Sequence, residues 1–374
     1  MKPTVLLNAL STRPGGGATV FAALLAGGRA FGQGLRIVAL TTDEQVDSLL
    51  RAADPEVEVH RVEPKTGIES FAGEAKLIDE FLGPDPGRIV VTQNRMTRGH
   101  DGPQIVLHVN LSRFQPGTGA RGWKQRPAEL VRNRMAKAAL TGADANIFES
   151  SYVFDAARAR YPELTISNPS VVLVGIEAGW AVDPGADVEP LADRARRLLA
   201  VTSPNPHKDN DVLIETLAGL DRAEPGRWSL AIAGGRTPEA WAPQMDLARS
   251  LGIGEAIELL GFLDRDRLAV ELDRSVALIS PSRVESFAMV PLEAMARGVP
   301  VIVTDEASMP ESVGDAGILV PAGRADAFAD AARELVGDEA TWIDRSRRSR
   351  QWAGAMTWDR FGHDVMKTLN DIAG

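Results

Sequence analysis

Two glutamates lie eight positions apart in the segment PSRVESFAMVPLEAMARGVPVIVTD, which runs from Pro281 to Asp305. We expect Glu285 in a loop and Glu293 in the first turn of the helix that follows. The apolar run Val276–Ile279 just before predicts a strand that is covered on both faces of a parallel sheet. Both carboxylates therefore belong at the carboxyl edge of such a sheet, where ligands bind and where helix N-termini offer N–H groups to anions. This combination suits a phosphorylated ligand that carries hydroxyl groups.

Positive charge and glycine occur at two further strand ends. Lys208 comes just after a predicted strand, in VTSPNPHKDNDVLIETL, where its ammonium suits a pyrophosphate as a point charge. Gly15, Gly16 and Gly17 separate the first predicted strand from the first helix, and glycine there lets backbone N–H groups approach a phosphate closely. The structural alternatives are a solvated lysine and an ordinary glycine loop.

Histidines and aspartates at the ends of predicted elements are candidates for catalytic or metal-binding groups. His108 and Asn110 end the predicted strand QIVLHVN, a place where a histidine can also be purely structural. Two D-x-D pairs open predicted helices, and because aspartate accepts hydrogen bonds from exposed helical N–H groups we interpret them as helix caps, not metal ligands. These pairs are Asp209/Asp211 and Asp264/Asp266. No metal is expected.

Composition limits the class of protein. The chain has 374 residues, enough for two domains, and its 44% hydrophobic and 25% charged residues are ordinary for a globular protein. The net charge of −10 argues against wholesale binding to nucleic acid. The chain has no cysteine, which excludes disulfides and thiolate metal sites and is compatible with a cytoplasmic location. No signal peptide or membrane span is predicted.

Apolar β-branched runs alternate with amphipathic helical stretches, which predicts an α/β protein with parallel sheets. The first series of predicted strands is Thr4–Leu10, Leu35–Thr41, Val57–Val62, Arg88–Thr92, Gln104–Val109, Ala145–Phe148 and Val171–Val174. The second is Arg197–Thr202, Trp228–Ala233, Ala256–Leu260, Val276–Ser280, Val299–Thr304 and Gly317–Val320. Ala178–Leu191 loses this periodicity and is rich in Pro, Gly and Asp, so it predicts a linker between domains 1–180 and 190–355.

Basic residues are concentrated before Thr141, in an otherwise acidic chain. They are Arg113, Arg121, Lys124, Arg126, Arg132, Arg134 and Lys137. Apolar residues recur there at helical spacing, which predicts an amphipathic helix; they are Leu130, Val131, Met135, Ala138 and Ala139. Such a surface suits peripheral contact with an anionic membrane, or a phosphorylated acceptor. A helix with one solvated basic face has the same pattern.

The glutamate segment resembles a known family. Its elements are P-S-x-x-E-S-F, then P-L-E-A-M-A-x-G-V-P-V-I, then Met309-Pro310-Glu311 and Gly314-Asp315-Ala316-Gly317. Together they resemble the retaining nucleotide-sugar glycosyltransferases of family 4, the glycosyl transferases group 1. The resemblance is specific across Leu198–Leu335 and general in the N-terminal half. It implies the GT-B fold: two Rossmann-like doubly wound domains facing a central cleft, with a C-terminal helix in 356–374 that crosses back to the N-terminal domain.

The resemblance also implies roles for individual residues. Glu293 would accept hydrogen bonds from the ribose hydroxyls of the donor. The residues implied in catalysis are Glu285, which would orient the donor sugar, Lys208, which would bind the diphosphate, and His108. Further donor-binding residues are Gly16, Gly17, Ser203, Arg236, Phe262, Leu263, Ser286, Phe287, Ala288, Met289 and Val290. Acceptor contacts would come from the N-terminal domain, through Asn110 and Arg113.

The sequence departs from the family pattern at three positions. The family usually has an arginine five positions before the lysine, where this chain has Ser203. Arg236 or Arg283, both in loops at strand ends, would have to replace it. Ser286 and Ala288 stand where many members have glycine, so the preferred sugar does not follow from the motif.

The expected activity is that of a retaining, metal-independent glycosyltransferase of the hexosyltransferase type. It would move a sugar from a nucleoside diphosphate sugar to the hydroxyl of a glycan, a lipid-linked molecule or a small molecule, without a cofactor. Two alternatives stay open. One is a sugar phosphorylase or sugar-phosphate synthase on the same fold, and the other, suggested by Ser203, is a non-catalytic protein that binds nucleotide sugars.

Overall fold

The computed structural model describes residues 4–29, 35–63, 74–82, 88–97, 99–115, 126–183, 185–186, 191, 195–235 and 237–373. The chain divides into two compact units. Unit 1 consists of Met1–Gly175 together with Met356–Gly374, and unit 2 consists of Ile176–Ala355.

Unit 1 is built on a parallel sheet whose seven strands lie in the order β3-β2-β1-β4-β5-β6-β7. The strands are β1 (Thr4–Asn8), β2 (Arg36–Thr41), β3 (Glu58–Arg61), β4 (Ile89–Gln93), β5 (Gln104–His108), β6 (Ala145–Phe148) and β7 (Pro169–Val171). The helices of its first part are α1 (Gly16–Gly28), α2 (Glu44–Ala53), α3 (Glu74–Leu82), α4 (Arg126–Gly142) and α5 (Ser151–Arg160). The strand order reverses between β1 and β4, and open α/β sheets bind ligands at such a switch point.

Unit 2 has six parallel strands in the order β10-β9-β8-β11-β12-β13, with its own switch point between β8 and β11. The strands are β8 (Arg197–Val201), β9 (Ser229–Ala233), β10 (Ile257–Gly261), β11 (Ala277–Ser280), β12 (Val301–Thr304) and β13 (Ile318–Val320). Its helices are α6 (Asn210–Ala223), α7 (Ala242–Ser250), α8 (Arg265–Asp273), α9 (Met289–Ala296), α10 (Met309–Val313), α11 (Ala325–Gly337) and α12 (Glu339–Gly354).

Helix α13 (Trp358–Ala373) belongs to unit 1, where it packs against α1. Its buried residues recur at helical spacing and include Phe361, Val365 and Leu369. The two helices approach so closely at Gly27 that a Cβ there would lie 1.7 Å from the main-chain oxygen of Trp358. Glycine at this crossing therefore allows the backbones to meet.

Every predicted strand has an observed counterpart, and the ends differ by at most three residues. The agreement has a physical reason, because strands buried on both faces of a parallel sheet are continuous apolar runs. The largest difference is at β7, predicted at Val171–Val174 and observed at Pro169–Val171. This edge strand has exposed residues, whereas Val172 and Val174 are buried in the loop that follows it, so the apolar run continues beyond the strand.

The predicted domain boundary lies too late in the chain. Unit 2 begins at Ile176, not at residue 190, because the start of the predicted linker packs on unit 2. Trp180 is only 5% exposed, and its indole nitrogen donates a hydrogen bond to the main-chain oxygen of Glu293 at 2.8 Å. The amide of Val182 donates to the main-chain oxygen of Ala296 at 3.0 Å. The Pro, Gly and Asp residues nearby obscured this attachment in the sequence.

Helix α4 carries part of the basic stretch, whose residues Arg121 and Lys124 lie outside the described residues. Leu130 and Val131 were assigned to its apolar face, but they are 70% and 53% exposed. Contact with a membrane stays a prediction. No helix in the part of the chain that the structure describes combines the length and apolarity that a membrane-spanning helix needs.

Candidate functional site

The switch point of unit 2 brings two predicted catalytic residues together. Lys208 lies in the loop after β8 and Glu285 in the loop after β11, and these two strands are neighbours in the sheet. The ammonium nitrogen of Lys208 donates to Glu285 Oε1 at 2.5 Å. The two side chains are 22% and 20% exposed, so the pair is accessible but largely shielded from water. A cation and an acceptor of hydrogen bonds thus lie side by side at the carboxyl edge of the sheet.

A second ion pair joins the same two loops. Arg283 donates through Nε to Asp209 Oδ2 at 2.7 Å, and its amide donates to the main-chain oxygen of His207 at 2.9 Å. Two ion pairs therefore join the loops: Lys208 with Glu285, and Asp209 with Arg283. This pairing fixes the geometry of the loops before any ligand binds.

The pairing of Asp209 corrects one predicted helix cap. Asp209 has φ +51° and makes no side-chain bond to the start of α6, because its carboxylate faces Arg283 instead. Asp211, in the first turn of α6, accepts a bond from Gln244 at 2.8 Å. Asp264 does cap α8, accepting a bond from the amide of Arg267 at 2.8 Å. The cap at Asp264 is confirmed and the one at Asp209 was wrong.

Ser203 stands where the family arginine was expected. Its hydroxyl accepts a hydrogen bond from Asn205 Nδ2 at 2.7 Å, and its carbonyl accepts one from Asn210 Nδ2 at 2.8 Å, so the residue shapes the loop. Of the two possible replacements, Arg236 lies outside the described residues. Arg283 is 53% exposed and is paired with the residue next to Lys208. Among the described residues it is thus Arg283 that adds positive charge beside the lysine.

Two serines that sequence reasoning missed hold the Glu285 loop in place. Ser308 donates to the main-chain oxygen of Glu285 at 3.1 Å, and Ser312 accepts a bond from the amide of Ala288 at 3.0 Å. Both serines are fully buried. The Ala288 amide is consequently engaged inside the protein, so this predicted donor-binding residue does not offer its N–H group to a ligand. Neither serine stands in a sequence pattern that indicates such a role.

The remaining predicted residues of this loop differ in exposure. Phe287 is buried, at 6% exposure, and its main-chain oxygen accepts a bond from the amide of Met289 at 3.0 Å. Ser286, Met289 and Val290 are half-buried. Phe287 therefore anchors the loop in the core, and the other three retain surface that a ligand can reach.

Glu293 is the fifth residue of α9, so its predicted place in the first turn was one turn too early. No residue that the structure describes gives its carboxylate a hydrogen bond or an ion pair. Burial raises the pKa of Glu293 to about 7, and the nearby charge of Arg265 opposes that rise. In its ionised form this group can accept hydrogen bonds from the hydroxyl groups of a ligand, since no described residue occupies it.

Phe262 and Leu263 follow β10 at the same edge of unit 2. The ring of Phe262 is 83% exposed, at the end of the edge strand of the sheet. Beside it, the ends of β9 and β10 enclose a pocket of about 200 Å³, lined by Gly234, Gly235, Thr237, Pro238, Trp241, Leu259, Leu260 and Gly261. An exposed ring next to a largely apolar pocket suits a flat ligand group.

The glycine loop of unit 1 lies at the switch point of that sheet. Gly15 has φ +130°, and Gly16 and Gly17 open helix α1. Gln93, at the end of β4, donates through its amide to the main-chain oxygen of Gly17 at 2.6 Å. A Cβ at Gly16 would meet no atom within 4 Å. The start of α1 is therefore open to a ligand, as a phosphate-binding loop requires.

The two predicted acceptor contacts of unit 1 differ in their surroundings. Asn110 is exposed, whereas Arg113 is partly buried. Burial lowers the pKa of the Arg113 guanidinium, and the nearby charges of Arg132 and Arg95 lower it further. No carboxylate among the described residues pairs with Arg113. Its charge is thus available to an anionic group.

His108 does not have the surroundings of a catalytic residue. It is 1% exposed, its ring stacks on Phe148 at a centroid distance of 4.5 Å, and its Nε2 lies 2.8 Å from Asn146 Oδ1. Burial lowers the pKa of His108 to about 4, so the ring is neutral near pH 7. The structure favours a structural role for His108 over the predicted catalytic one.

One family profile matches most of unit 2. The glycosyl transferases group 1 profile matches residues 186–352. The chain is 35% identical over 213 residues to a D-inositol 3-phosphate glycosyltransferase of Nocardia farcinica, an alignment that covers 50% of this chain and 46% of that protein. The chain thus spans about half the length of the curated relatives it matches.

Solved structures match the chain over nearly its whole length, at low identity. A sucrose-phosphate synthase from Thermosynechococcus elongatus has a TM-score of 0.76 and 20% identity, with 98% of each chain covered. Anabaena Alr3699/HepE, solved in complex with UDP-glucose, has a TM-score of 0.75 and 15% identity, with 98% of this chain and 99% of that chain covered. These likenesses show the expected fold, two Rossmann-like domains of the GT-B class.

Proposed function

We propose that this protein transfers a sugar from a nucleoside diphosphate sugar to an acceptor hydroxyl, because the glycosyl transferases group 1 profile matches residues 186–352. We further propose that the configuration at the anomeric carbon is retained. The observation that carries the proposal is the cluster at the switch point of unit 2, where Lys208 and Glu285 are paired and the Glu293 carboxylate has no partner among the described residues.

Each of the three groups suits one part of such a donor. Lys208 suits the diphosphate, Glu285 the hydroxyls of the sugar, and Glu293 the two hydroxyls of the ribose. The structural neighbour Alr3699/HepE was solved with UDP-glucose, a ligand with all three parts. UDP-glucose is therefore the first donor to test.

In the proposed reaction the bond between the anomeric carbon and the diphosphate oxygen breaks, and a bond to the acceptor oxygen forms on the same face of the sugar. The acceptor hydroxyl gives its proton to the departing diphosphate. Lys208, held at the sheet edge before the reaction, stabilises the negative charge that grows on the leaving group. Preorganised charges of this kind commonly supply a large part of the rate enhancement.

We propose that transfer needs no metal ion. Asp264 caps α8, and Asp209 is paired with Arg283. In each D-x-D pair, at least one carboxylate is therefore already engaged. Transfer should therefore persist in a chelator. Complete loss of activity in EDTA, restored by manganese or magnesium, would instead assign a metal to one of these pairs.

We propose that the acceptor carries a phosphate group. The named relatives include a D-inositol 3-phosphate glycosyltransferase and a sucrose-phosphate synthase. In unit 1, Arg113 has a partly buried guanidinium with two arginines nearby and no carboxylate partner among the described residues. A phosphorylated polyol or sugar suits this group better than a neutral acceptor does. Turnover of inorganic phosphate alone would support the phosphorylase alternative.

The test is a transfer assay with UDP-glucose and other nucleoside diphosphate sugars, against sugar and polyol phosphates and their unphosphorylated forms. Mass spectrometry identifies the product, and proton NMR of the anomeric position reports whether configuration is retained. Binding of a donor without transfer or hydrolysis over long incubation would support a non-catalytic protein. Absence of binding by every nucleoside diphosphate would overturn the assignment of the donor site.

A further inference from the structure

The C-terminal turn of α9, the helix that carries Glu293, is completed by the segment that enters unit 2. The last four carbonyl groups of an α-helix have no partner within the helix. In α9 the indole nitrogen of Trp180 donates to the main-chain oxygen of Glu293 at 2.8 Å, and the amide of Val182 donates to that of Ala296 at 3.0 Å. The two carbonyl groups between them accept bonds from the amides of residues 297–299. All four carbonyl groups are thus satisfied, the first of them by a side chain from outside the helix.

Trp180 also packs against Arg265, whose charge acts on the Glu293 carboxylate. The guanidinium of Arg265 lies over the Trp180 ring, 4.8 Å from its centroid, and forms an ion pair with Glu177. Arg265 is the group whose charge opposes the effect of burial on Glu293. Trp180 and Glu177 therefore hold that charge in place.

A second arginine completes the packing around the indole. Arg297 lies 5.5 Å from the centroid of the Trp180 ring, and its guanidinium donates to both carboxylate oxygens of Asp273. Trp180 is 5% exposed in these surroundings, so its ring has one defined position. Both the main chain and the electrostatic surroundings of Glu293 depend on it.

We propose that Trp180 is a positioning residue that sets the geometry of Glu293 for the ribose hydroxyls of the donor. This inference rests on the proposed function. The indole hydrogen bond fixes the Glu293 backbone, and the indole ring holds Arg265 where it favours the ionised carboxylate, the better acceptor for two hydroxyl groups. Trp180 touches neither the ribose nor the reacting atoms, and it acts through Glu293 alone.

The test compares the affinity for a nucleoside diphosphate with that for its 2′,3′-dideoxy analogue, using calorimetry. The probe is whichever of UDP, GDP and ADP binds the wild type best. Trp180→Phe keeps an aromatic ring and removes the indole donor. Trp342→Phe is the matched control, because Trp342 Nε1 also donates at 2.8 Å to a main-chain oxygen. That oxygen belongs to Val276, which directly precedes β11 at the amino ends of the strands.

We expect Trp180→Phe to lower the preference for the ribose form by roughly threefold or more, the effect of about one lost hydrogen bond. The affinity for the dideoxy form should change little, and Trp342→Phe should leave the preference unchanged. Glu177→Gln, which releases Arg265 from an exposed ion pair and is not expected to disturb folding, should shift the preference in the same direction. The inference would be overturned if neither Trp180→Phe nor Glu177→Gln changed the ratio of the affinities for the ribose and dideoxy forms.

Glu293→Ala separates this inference from the proposed function. If Glu293→Ala abolishes the preference for ribose and Trp180→Phe does not, the donor site stands and the role of Trp180 falls. If Glu293→Ala leaves the preference intact, or no nucleoside diphosphate binds to the wild type, the proposed donor site itself is overturned.

Discussion

The amide of Ala288 donates its hydrogen bond to the hydroxyl of Ser312, 3.0 Å away in the core of unit 2. Ser312 in turn donates to the main-chain oxygen of Ser308, whose hydroxyl donates to the main-chain oxygen of Glu285. The loop that carries Glu285 is therefore attached to the rest of unit 2 by two buried hydroxyl groups. A functional group held in this way needs little rearrangement when a ligand binds.

Ser312→Ala should destabilise the protein by about 1–3 kcal/mol, because it leaves a buried amide without a partner. It should also impair transfer, since the Glu285 loop loses its attachment. Ser349→Ala is the control, because Ser349 is equally buried but its hydroxyl has no hydrogen-bond partner among the described residues, and removing it should be neutral or slightly stabilising. Urea unfolding of both variants measures the difference. Equal effects would show that the Ser312 bonds contribute nothing.

Lys208→Ala and Glu285→Gln should have opposite effects on binding of the bare nucleoside diphosphate. Loss of Lys208 removes a charge-assisted hydrogen bond and should weaken binding by roughly 10-fold to 100-fold. Glu285→Gln removes the charge that neutralises Lys208, so affinity should stay the same or rise severalfold while transfer falls. Calorimetry with UDP and a transfer assay measure the two quantities. Weaker binding of UDP by Glu285→Gln would show that Glu285 contacts the nucleotide itself.

Glu293→Gln should stabilise the protein at alkaline pH. Burial raises the pKa of Glu293 from an ordinary value of 4.5 to about 7, so between these values the folded state holds a proton that the unfolded state has lost. The contribution of Glu293 to stability therefore falls as the pH rises through this window. The variant lacks this ionisation and should be about 1–3 kcal/mol more stable than the wild type at pH 8, with a smaller difference at pH 5. Urea unfolding at both pH values provides the measurement, and a difference that does not depend on pH would contradict the pKa assignment.

Gly27→Ala should destabilise unit 1 by about 2 kcal/mol or more, because the new methyl group would lie 1.7 Å from the main-chain oxygen of Trp358. Gly219→Ala provides the comparison. Gly219 also lies inside a helix, α6, but its nearest contact would be an ordinary 3.5 Å, so alanine there should stabilise by roughly 0.5–1 kcal/mol. Thermal unfolding distinguishes the two. A neutral Gly27→Ala would mean that α1 and α13 separate easily.

The fold followed from the sequence because its strands are buried parallel strands, which form continuous apolar runs such as LLAV in β8 and ALI in β11. Lys208 and Glu285 were each predicted just after a strand, and the structure pairs them. Patterns of this kind are local, so one chain is enough to recognise them.

The parts that sequence reasoning missed depend on contacts between distant residues. Trp180 was assigned to a linker, yet its indole reaches the carbonyl of Glu293, 113 positions later. Asp209 was interpreted as a helix cap, but Arg283, distant in sequence, takes its carboxylate. No periodicity or local propensity encodes which side chain will meet which carbonyl.

The assignment of α13 to unit 1 has a consequence for synthesis of the protein. The chain leaves unit 1 at Gly175 and returns at Met356, so the 180 residues of unit 2 are translated in between. At 5–20 residues per second this takes roughly 9–36 s, during which α1 has no α13 to cover it. Unit 2 can fold on the ribosome as soon as it emerges, whereas unit 1, which begins first, is completed last. The nascent chain therefore exposes apolar surface of α1 throughout this interval, and that surface is where chaperones would bind.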